Sequence, residues 1–314
     1  NSVTGTISGL HHITVISGNA QRNLNFYANV LGLRFIKKTV NFDDPSVYHL
    51  YYGDEVGTPG TVLTFFPWEH MRLGRRGVGE ASLTQFSIPP GSLPFWRERL
   101  ERAGAPVAGP TAVFGEERLV FEDPDGMKAA LVVATDRDQR TPWTTSEIGE
   151  DSAIRGFHGV TLSLADHTAT AELLTALLGY EAAGKEGNTY RYAMPPARSA
   201  RLVDIVELPG GQPALQAGGS VHHVAFSVAD RAAQAEVRDR LVHAGYQVTP
   251  QIDRNYFFSI YFRSPGGVLL EVATEEPGFT VDEPVTELGR NLKLPQQHEP
   301  RRAEIERVLP PLAV

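Results

Sequence analysis

Two short stretches of this 314-residue chain carry almost the same chemistry. Leu10-His11-His12-Ile13-Thr14 stands near the start, and Val221-His222-His223-Val224-Ala225-Phe226 recurs late. The second copy is completed by Ser264-Pro265-Gly266-Gly267-Val268-Leu269-Leu270-Glu271. Two imidazoles and one carboxylate make a facial ligand set for a non-haem iron(II) and leave the opposite positions open. The expected metal is Fe(II), with O2 as co-substrate; the same set also accepts Mn(II).

Such ligands must be delivered by repeated elements, and the repeats are visible. Leu31-Gly32-Leu33, Ala103-Gly104-Ala105, Leu178-Gly179-Tyr180 and Ala244-Gly245-Tyr246 share one pattern, Gly just past a helical stretch. In the first stretch Leu24, Tyr27, Ala28 and Leu31 follow helical spacing, with Asn19 as N-cap. Alternating strands precede the helices at Leu10–Ser17, Ser82–Ile88, Phe157–Leu164 and Val221–Val228. Further strands follow, with hairpin signals at Asp123-Pro124-Asp125-Gly126 and Ser264-Pro265-Gly266-Gly267. Each unit therefore reads as strand, helix and about three strands.

The units fall near residues 8–67, 81–134, 155–207 and 220–274. They divide the chain into an N-terminal pair within 1–145 and a C-terminal pair within 146–314, with a loop-rich tail over 275–314 and a short helix expected at Ala303–Val308. Aligning the units on their Gly caps sets His12 and His223 against Leu83 and Gly159. Aligning their last strands sets Glu271 against Thr64, Ala130 and Asp204. Units one and four therefore hold His12, His223 and Glu271, and units two and three hold no comparable set. The expected fold is α+β: four βαβββ units forming two cupped, open mixed-sheet barrels, the active one combining units one and four.

Composition bounds the partners. Hydrophobic residues make up 41%, charged residues 21%, and the net charge is −8. With no basic stripe, nucleic acid is not an expected partner. Cysteine is absent, which excludes thiolate sites, Cys nucleophiles and disulfides. No apolar run reaches the roughly 18 residues of a membrane span. The polar start Asn1–Gly5 lacks a secretory pattern, so a cytoplasmic location is expected.

Phe26-Tyr27-Ala28-Asn29-Val30-Leu31-Gly32-Leu33 resembles the Phe-Tyr-x-x-x-Leu-Gly signature of the vicinal-oxygen-chelate superfamily. That superfamily groups glyoxalase I, the bleomycin and fosfomycin resistance proteins and the extradiol ring-cleaving dioxygenases. Ser8 to Thr14, Tyr48-His49-Leu50-Tyr51-Tyr52-Gly53 through Thr61, Arg254-Asn255-Tyr256-Phe257, Pro277-Gly278-Phe279-Thr280 and Leu288-Gly289 resemble its hydroquinone-type ring-cleaving branch. The resemblance implies iron ligands at His12, His223 and Glu271. It implies catalytic or supporting roles for His11, Thr14, His222, Arg254 and Tyr261, and a small aromatic diol as substrate. Members of that superfamily often associate, so the resemblance allows a homo-oligomer and leaves the oligomeric state open.

The chemistry asks for a base to take a phenolic proton and an acid to return one, roles that suit histidine. Arg254 suits an oxyanion. A strand neighbour of a ligand normally points to the other face, so His11 and His222 need a bulge or a strand end to turn inward. Thr14 reads otherwise as an ordinary strand residue, and Arg254 and Tyr261 as a surface ion pair and a core aromatic. His49 and His158 read as structural and Tyr256 as packing. Two other functions compete: a glyoxalase-type metal-dependent isomerase or lyase, which wants a fourth ligand where Thr64 stands, and a metal-free drug-binding resistance protein.

Overall fold

Alternation of apolar and polar residues in each strand sorts two faces, one for a helix-covered core and one for a cup. The computed structural model describes residues 6–314. The N-terminal segment Asn1–Gly5 lies outside the described residues. Unit one contains β1 (Gly9–Ser17), α1 (Ala20–Leu24) continuing into a π-helical turn Asn25–Val30, β2 (Arg34–Val40), β3 (Tyr48–Gly53) and β4 (Val62–Pro67). Unit two has β5 (Glu80–Ile88), α2 (Leu93–Arg102), β6 (Val107–Val113), β7 (Glu116–Glu122) and β8 (Lys128–Val133). Unit three has β9 (Gly156–Leu164), α3 (Thr168–Glu172) with a second π-turn Leu173–Leu177, β10 (Glu181–Glu186), β11 (Thr189–Ala193) and β12 (Leu202–Glu207). Unit four has β13 (Val221–Val228), α4 (Arg231–His243), β14 (Ile252–Asp253), β15 (Phe257–Arg263) and β16 (Leu269–Pro277).

The strands form two eight-stranded sheets, ordered β14-β15-β16-β13-β1-β4-β3-β2 and β10-β11-β12-β9-β5-β8-β7-β6. The first sheet joins units one and four through the antiparallel pair β1–β13, and the second joins units two and three through β5–β9. Each sheet is thus drawn from both halves of the chain. This is the expected α+β fold of four βαβββ units.

The four cap glycines all adopt positive φ, from +70° at Gly32 to +98° at Gly245, which ends the helices without a side-chain clash. The Asn19 carboxamide oxygen accepts from the Arg22 amide at 2.8 Å, as an N-cap should. The helix it starts does not stay α-helical. Leu31 donates to the Phe26 carbonyl five residues back, so the apolar spacing is carried through a π-turn. The Tyr27 ring still packs on Phe65 at 4.6 Å and Tyr52 at 5.5 Å behind the sheet. Those two residues alternate with Thr64 and Tyr51, which face the cup.

The tail closes the rim of this cup. Buried Lys37 of β2 binds Asp282 at 2.5 Å, Glu283 at 2.7 Å and the Phe279 carbonyl at 3.0 Å. Phe279 then packs on Tyr51 and Tyr256. The last helix, α5, runs Arg302–Val308, near the expected span. Among the described residues no helix is long and apolar enough to cross a membrane.

Candidate metal centre

The register of the central strands brings the distant copies together. Thr14 stands opposite His223, and His12 opposite Ala225, in the β1–β13 pair. Ala225 is in turn beside Glu271 in the parallel β13–β16 pair. His12, His223 and Glu271 therefore share the concave face, and their nearest ligand atoms all lie within 4.8 Å of one another. His12 Nε2 is 3.3 Å and His223 Nε2 is 2.9 Å from Glu271 Oε1.

Two bulges supply the remaining imidazoles. The β1–β13 register slips between Leu10 and His12 and again between Thr14 and Val15. His11 is the extra residue at the first slip and His222 at the second. A bulge re-aims its extra side chain, which is why these neighbours of the ligand positions turn toward them rather than away. His11 Nδ1 lies 2.8 Å from His12 Nδ1, and His222 Nδ1 lies 2.8 Å from His223 Nδ1.

Hydrogen-bond chemistry fixes one tautomer. His11 Nε2 is 3.0 Å from the Thr274 carbonyl, which only accepts, so this nitrogen carries the proton. His11 Nδ1 is then the acceptor, His12 Nδ1 the donor, and His12 Nε2 is left with a lone pair aimed at Glu271. An imidazole held through its outer nitrogen is the usual support for a metal ligand. Glu271 is completely buried. Its Oε2 accepts from Ser259 Oγ at 2.8 Å, while Oε1 has no hydrogen-bond partner among the described residues despite the nearby imidazoles. A bare, buried carboxylate oxygen facing two imidazole nitrogens is costly unless a cation completes it. The donor set and the orphaned oxygen fit a divalent metal.

Electrostatics agree. Burial alone would raise the Glu271 carboxyl; positive charge facing it from the side of His12 and His223 outweighs burial and holds the group well below the usual carboxylate range, a service that a bound cation performs when those imidazoles are neutral ligands. Burial, aided by His12, pulls His11 down to about 3. Burial and then His223 pull His222 down to about 4, so both stay neutral near pH 7.

His12, His223 and Glu271 border a cavity of about 340 Å3, within the usual range for a small-molecule site. Its other wall carries Arg254 and Tyr261. Arg254 Nε donates to the Tyr261 hydroxyl at 3.1 Å. The arginine is presented by a tight turn in which Asn255 takes a positive φ of 71°. Burial opposes the charge on Arg254, but Tyr261 and Glu271 raise its pKa further. Burial and Glu271 also raise Tyr261. Phe257 packs its ring on both His11 and His12, at 5.0 and 4.8 Å.

The structure brings together all eight residues singled out from the sequence: His11, His12, Thr14, His222, His223, Arg254, Tyr261 and Glu271. It adds two that the sequence reading left aside. His49 and Tyr51 also border the cavity. The signal was available, since both alternate with the core residues Tyr48, Leu50 and Tyr52 along β3. Tyr256 packs against Tyr51 and Phe279 behind the site.

The second sheet repeats the geometry without the chemistry. His158 is again the residue at a register slip, but Gly159 follows it where His223 stands in the first sheet. Asp204 is bound by Arg191 at 2.8 and 3.0 Å, and His158 reaches Glu116 at 2.7 Å. A guanidinium already neutralises the carboxylate there.

Comparison with known proteins matches residues 9–131 and 156–272 to the model of the Glyoxalase/Bleomycin resistance protein/Dioxygenase superfamily. A Bacillus subtilis (strain 168) protein, MhqO, provisionally named a ring-cleaving dioxygenase, is 44% identical over 98% of this chain and 97% of its own length. The chlorohydroquinone/hydroquinone 1,2-dioxygenase of Sphingobium indicum is 36% identical over 96% of both chains. A crystal structure of a B. subtilis protein provisionally described as a dioxygenase superposes with a TM-score of 0.94 at 42% identity over 98% of both chains. Glyoxalase I from Zea mays shares the fold, with a TM-score of 0.63 at 14% identity over 85% of this chain and 92% of its own.

Proposed function

The chain belongs to the glyoxalase/bleomycin resistance protein/dioxygenase superfamily, and on that premise we propose that it is an iron(II)-dependent, extradiol-type dioxygenase that opens the ring of a hydroquinone- or catechol-like diol. One observation carries the reading. Two imidazole nitrogens and an otherwise unpartnered carboxylate oxygen converge on a buried point beside a cavity. The relatives named as ring-cleaving dioxygenases, one of them acting on chlorohydroquinone and hydroquinone, support the substrate class.

His12, His223 and Glu271 hold the metal. When bound, it supplies a Lewis-acidic, redox-active centre where diol and O2 meet. The remaining residues handle protons and charge. His11 donates from Nε2 to Thr274 and thereby orients His12. His222, neutral and bordering the cavity, accepts one of the diol's two phenolic protons. Arg254, with Tyr261 against its Nε, offers fixed donors to a phenolate oxygen. Thr14 presents a hydroxyl on the same face, two residues beyond His12.

Thr64 argues against the glyoxalase-type alternative, because a hydroxyl already bonded to two neighbours stands where a fourth ligand would be needed. The orphaned Glu271 oxygen argues against a metal-free binding protein. The test is anaerobic loading with Fe(II) followed by oxygen uptake with a panel of hydroquinones and catechols. Stoichiometric uptake with ring opening is expected. No uptake with any diol by protein that has bound iron would overturn the reading.

A further inference from the structure

Four side chains on the unit-one wall form an unbroken hydrogen-bond chain. The Tyr51 hydroxyl is 3.0 Å from His49 Nδ1, His49 Nε2 is 3.0 Å from Thr64 Oγ1, and Thr64 Oγ1 is 2.7 Å from Thr14 Oγ1. Thr14, His49 and Tyr51 border the cavity, and Thr64 is buried behind them. The chain crosses three strands in register, Tyr51 beside Thr64 and Thr64 beside Thr14.

This is the internal mirror image of the carboxylate half of the site. In unit four Tyr261 is beside Glu271 and Glu271 beside Ala225. Ser259 binds Glu271 there as His49 binds Thr64 here. The slot that supplies a metal ligand on one side is occupied on the other by a hydroxyl wired to an imidazole.

We propose that Tyr51, His49, Thr64 and Thr14 form a reversible proton relay, with His49 as its switching member, that takes a phenolic proton from the bound diol at one end and returns one to a substrate oxygen at the other. Proton counting gives the relay its two states. Each hydroxyl and the neutral imidazole carries one mobile proton, and the three contacts use three of the four. The Thr64 hydroxyl has no further partner among the described residues, so it must donate within the chain.

If it donates to Thr14, His49 holds its proton on Nε2, Tyr51 donates to Nδ1, and the spare O–H is on Thr14. If it donates to His49 Nε2, Thr14 donates to Thr64, the imidazole proton is on Nδ1, and the spare O–H is on Tyr51. A proton accepted by the Thr14 oxygen while Tyr51 releases one turns the second arrangement into the first. The reverse transfer resets it, with no net change in charge. Burial, with His223, His12 and Arg254 nearby, holds the His49 pKa well below its usual value, which keeps the imidazole neutral as the relay requires. Its ring is clamped between Tyr51 and Phe66, each 4.2 Å away, which preserves alignment as the tautomer changes.

The direction of use rests on the dioxygenase reading; the two-state chain does not. The deciding experiment is nitrogen NMR of the full chain, labelled at histidine and loaded with diamagnetic zinc, with and without hydroquinone. His49 is expected to populate both tautomers and to change their ratio when hydroquinone binds. Thr14→Val should lock it with the proton on Nδ1, because Thr64 then has only His49 to donate to. A single fixed tautomer in the unaltered protein, indifferent to hydroquinone, overturns the relay.

If the iron-loaded enzyme turns over a diol, His49→Gln keeps two hydrogen bonds but cannot exchange tautomers. It should lower kcat at least about tenfold while the hydroquinone Kd stays within about threefold. A kcat within about twofold of the parent overturns the relay equally. An enzyme inactive on every diol sinks the dioxygenase reading and leaves the NMR result to decide the relay.

Discussion

The Nδ1 atoms of His11 and His12 lie 2.8 Å apart, and the Thr274 carbonyl decides which of them bears the proton. This is a positional lock on a proposed metal ligand, built from one bulge residue and one carbonyl. His11→Ala removes the acceptor for His12 Nδ1–H and frees the ring to rotate or switch tautomer. Loss of such a support typically costs about 10–100-fold in metal affinity. Competition with a chelator measures it. Unchanged affinity would show that His12 is held by packing against Phe257 alone.

Glu271 contributes differently with and without metal. Its Oε1 is bare, so a bound ion stabilises the fold by mass action. Addition of a divalent metal at about 100 times its Kd should add about 3 kcal/mol to unfolding. Glu271→Gln removes the charge but keeps the shape and the contact with Ser259. The variant should show no metal-dependent rise in melting temperature, whereas a rise equal to the parent's would place the ion elsewhere.

Thr64 occupies the position that mirrors Glu271, which makes it a test of reaction type. Thr64→Glu offers a fourth ligand and breaks the contacts to Thr14 and His49. Metal retention should persist while oxygen uptake falls by at least about a hundredfold, because a position for O2 or diol is taken. Retained oxygen uptake would show that the new carboxylate points away from the centre.

Lys37 is wholly buried between β2 and the tail, with Asp282 and Glu283 as counter-ions. Lys37→Met leaves those carboxylates uncompensated and loosens the segment that carries Phe279 against Tyr51. Breaking one side of a buried ion pair costs about 3–5 kcal/mol. Urea unfolding should show that loss, and limited proteolysis should cut near Asp282 first. A cost below about 1 kcal/mol would mean that the tail docks on its aromatics alone.

The repeats, the Gly caps and the pairing of units one and four were legible in the sequence because each rests on local periodicity or on spacing that survives duplication. His12, His223 and Glu271 stood out by difference, since the aligned units place Leu83, Gly159, Thr64, Ala130 and Asp204 in those positions. The orientation of His11 and His222 was not legible. It depends on two register slips between strands more than 200 residues apart in sequence, and a slip is a property of the pair rather than of either strand. His49 was passed over because its meaning lies in its hydrogen bonds, one to Tyr51 on its own strand and one to Thr64 across the β3–β4 pair. The π-turns were equally hidden, because one extra residue in a helical turn barely disturbs the apolar spacing.

Asp123 gives a pH signature away from the proposed metal centre. Its carboxylate accepts from the amides of Asp125 and Met127 at 2.8 and 2.9 Å and from the Tyr27 hydroxyl at 2.7 Å, joining the unit-two hairpin to the unit-one helix. Burial raises its pKa to about 6, although those donors pull the other way. The unfolded value is near 3.9, so between about 4 and 6 the folded state binds more protons than the unfolded one. Its contribution to stability is therefore full below about pH 4 and is lost as pH rises through 6. Asp123→Asn keeps the shape and cannot ionise. Relative to the parent, this variant should gain on the order of 2–3 kcal/mol between pH 4 and pH 7. Paired urea titrations across that window measure the difference; a gap that stays constant with pH would show that Asp123 ionises alike in both states.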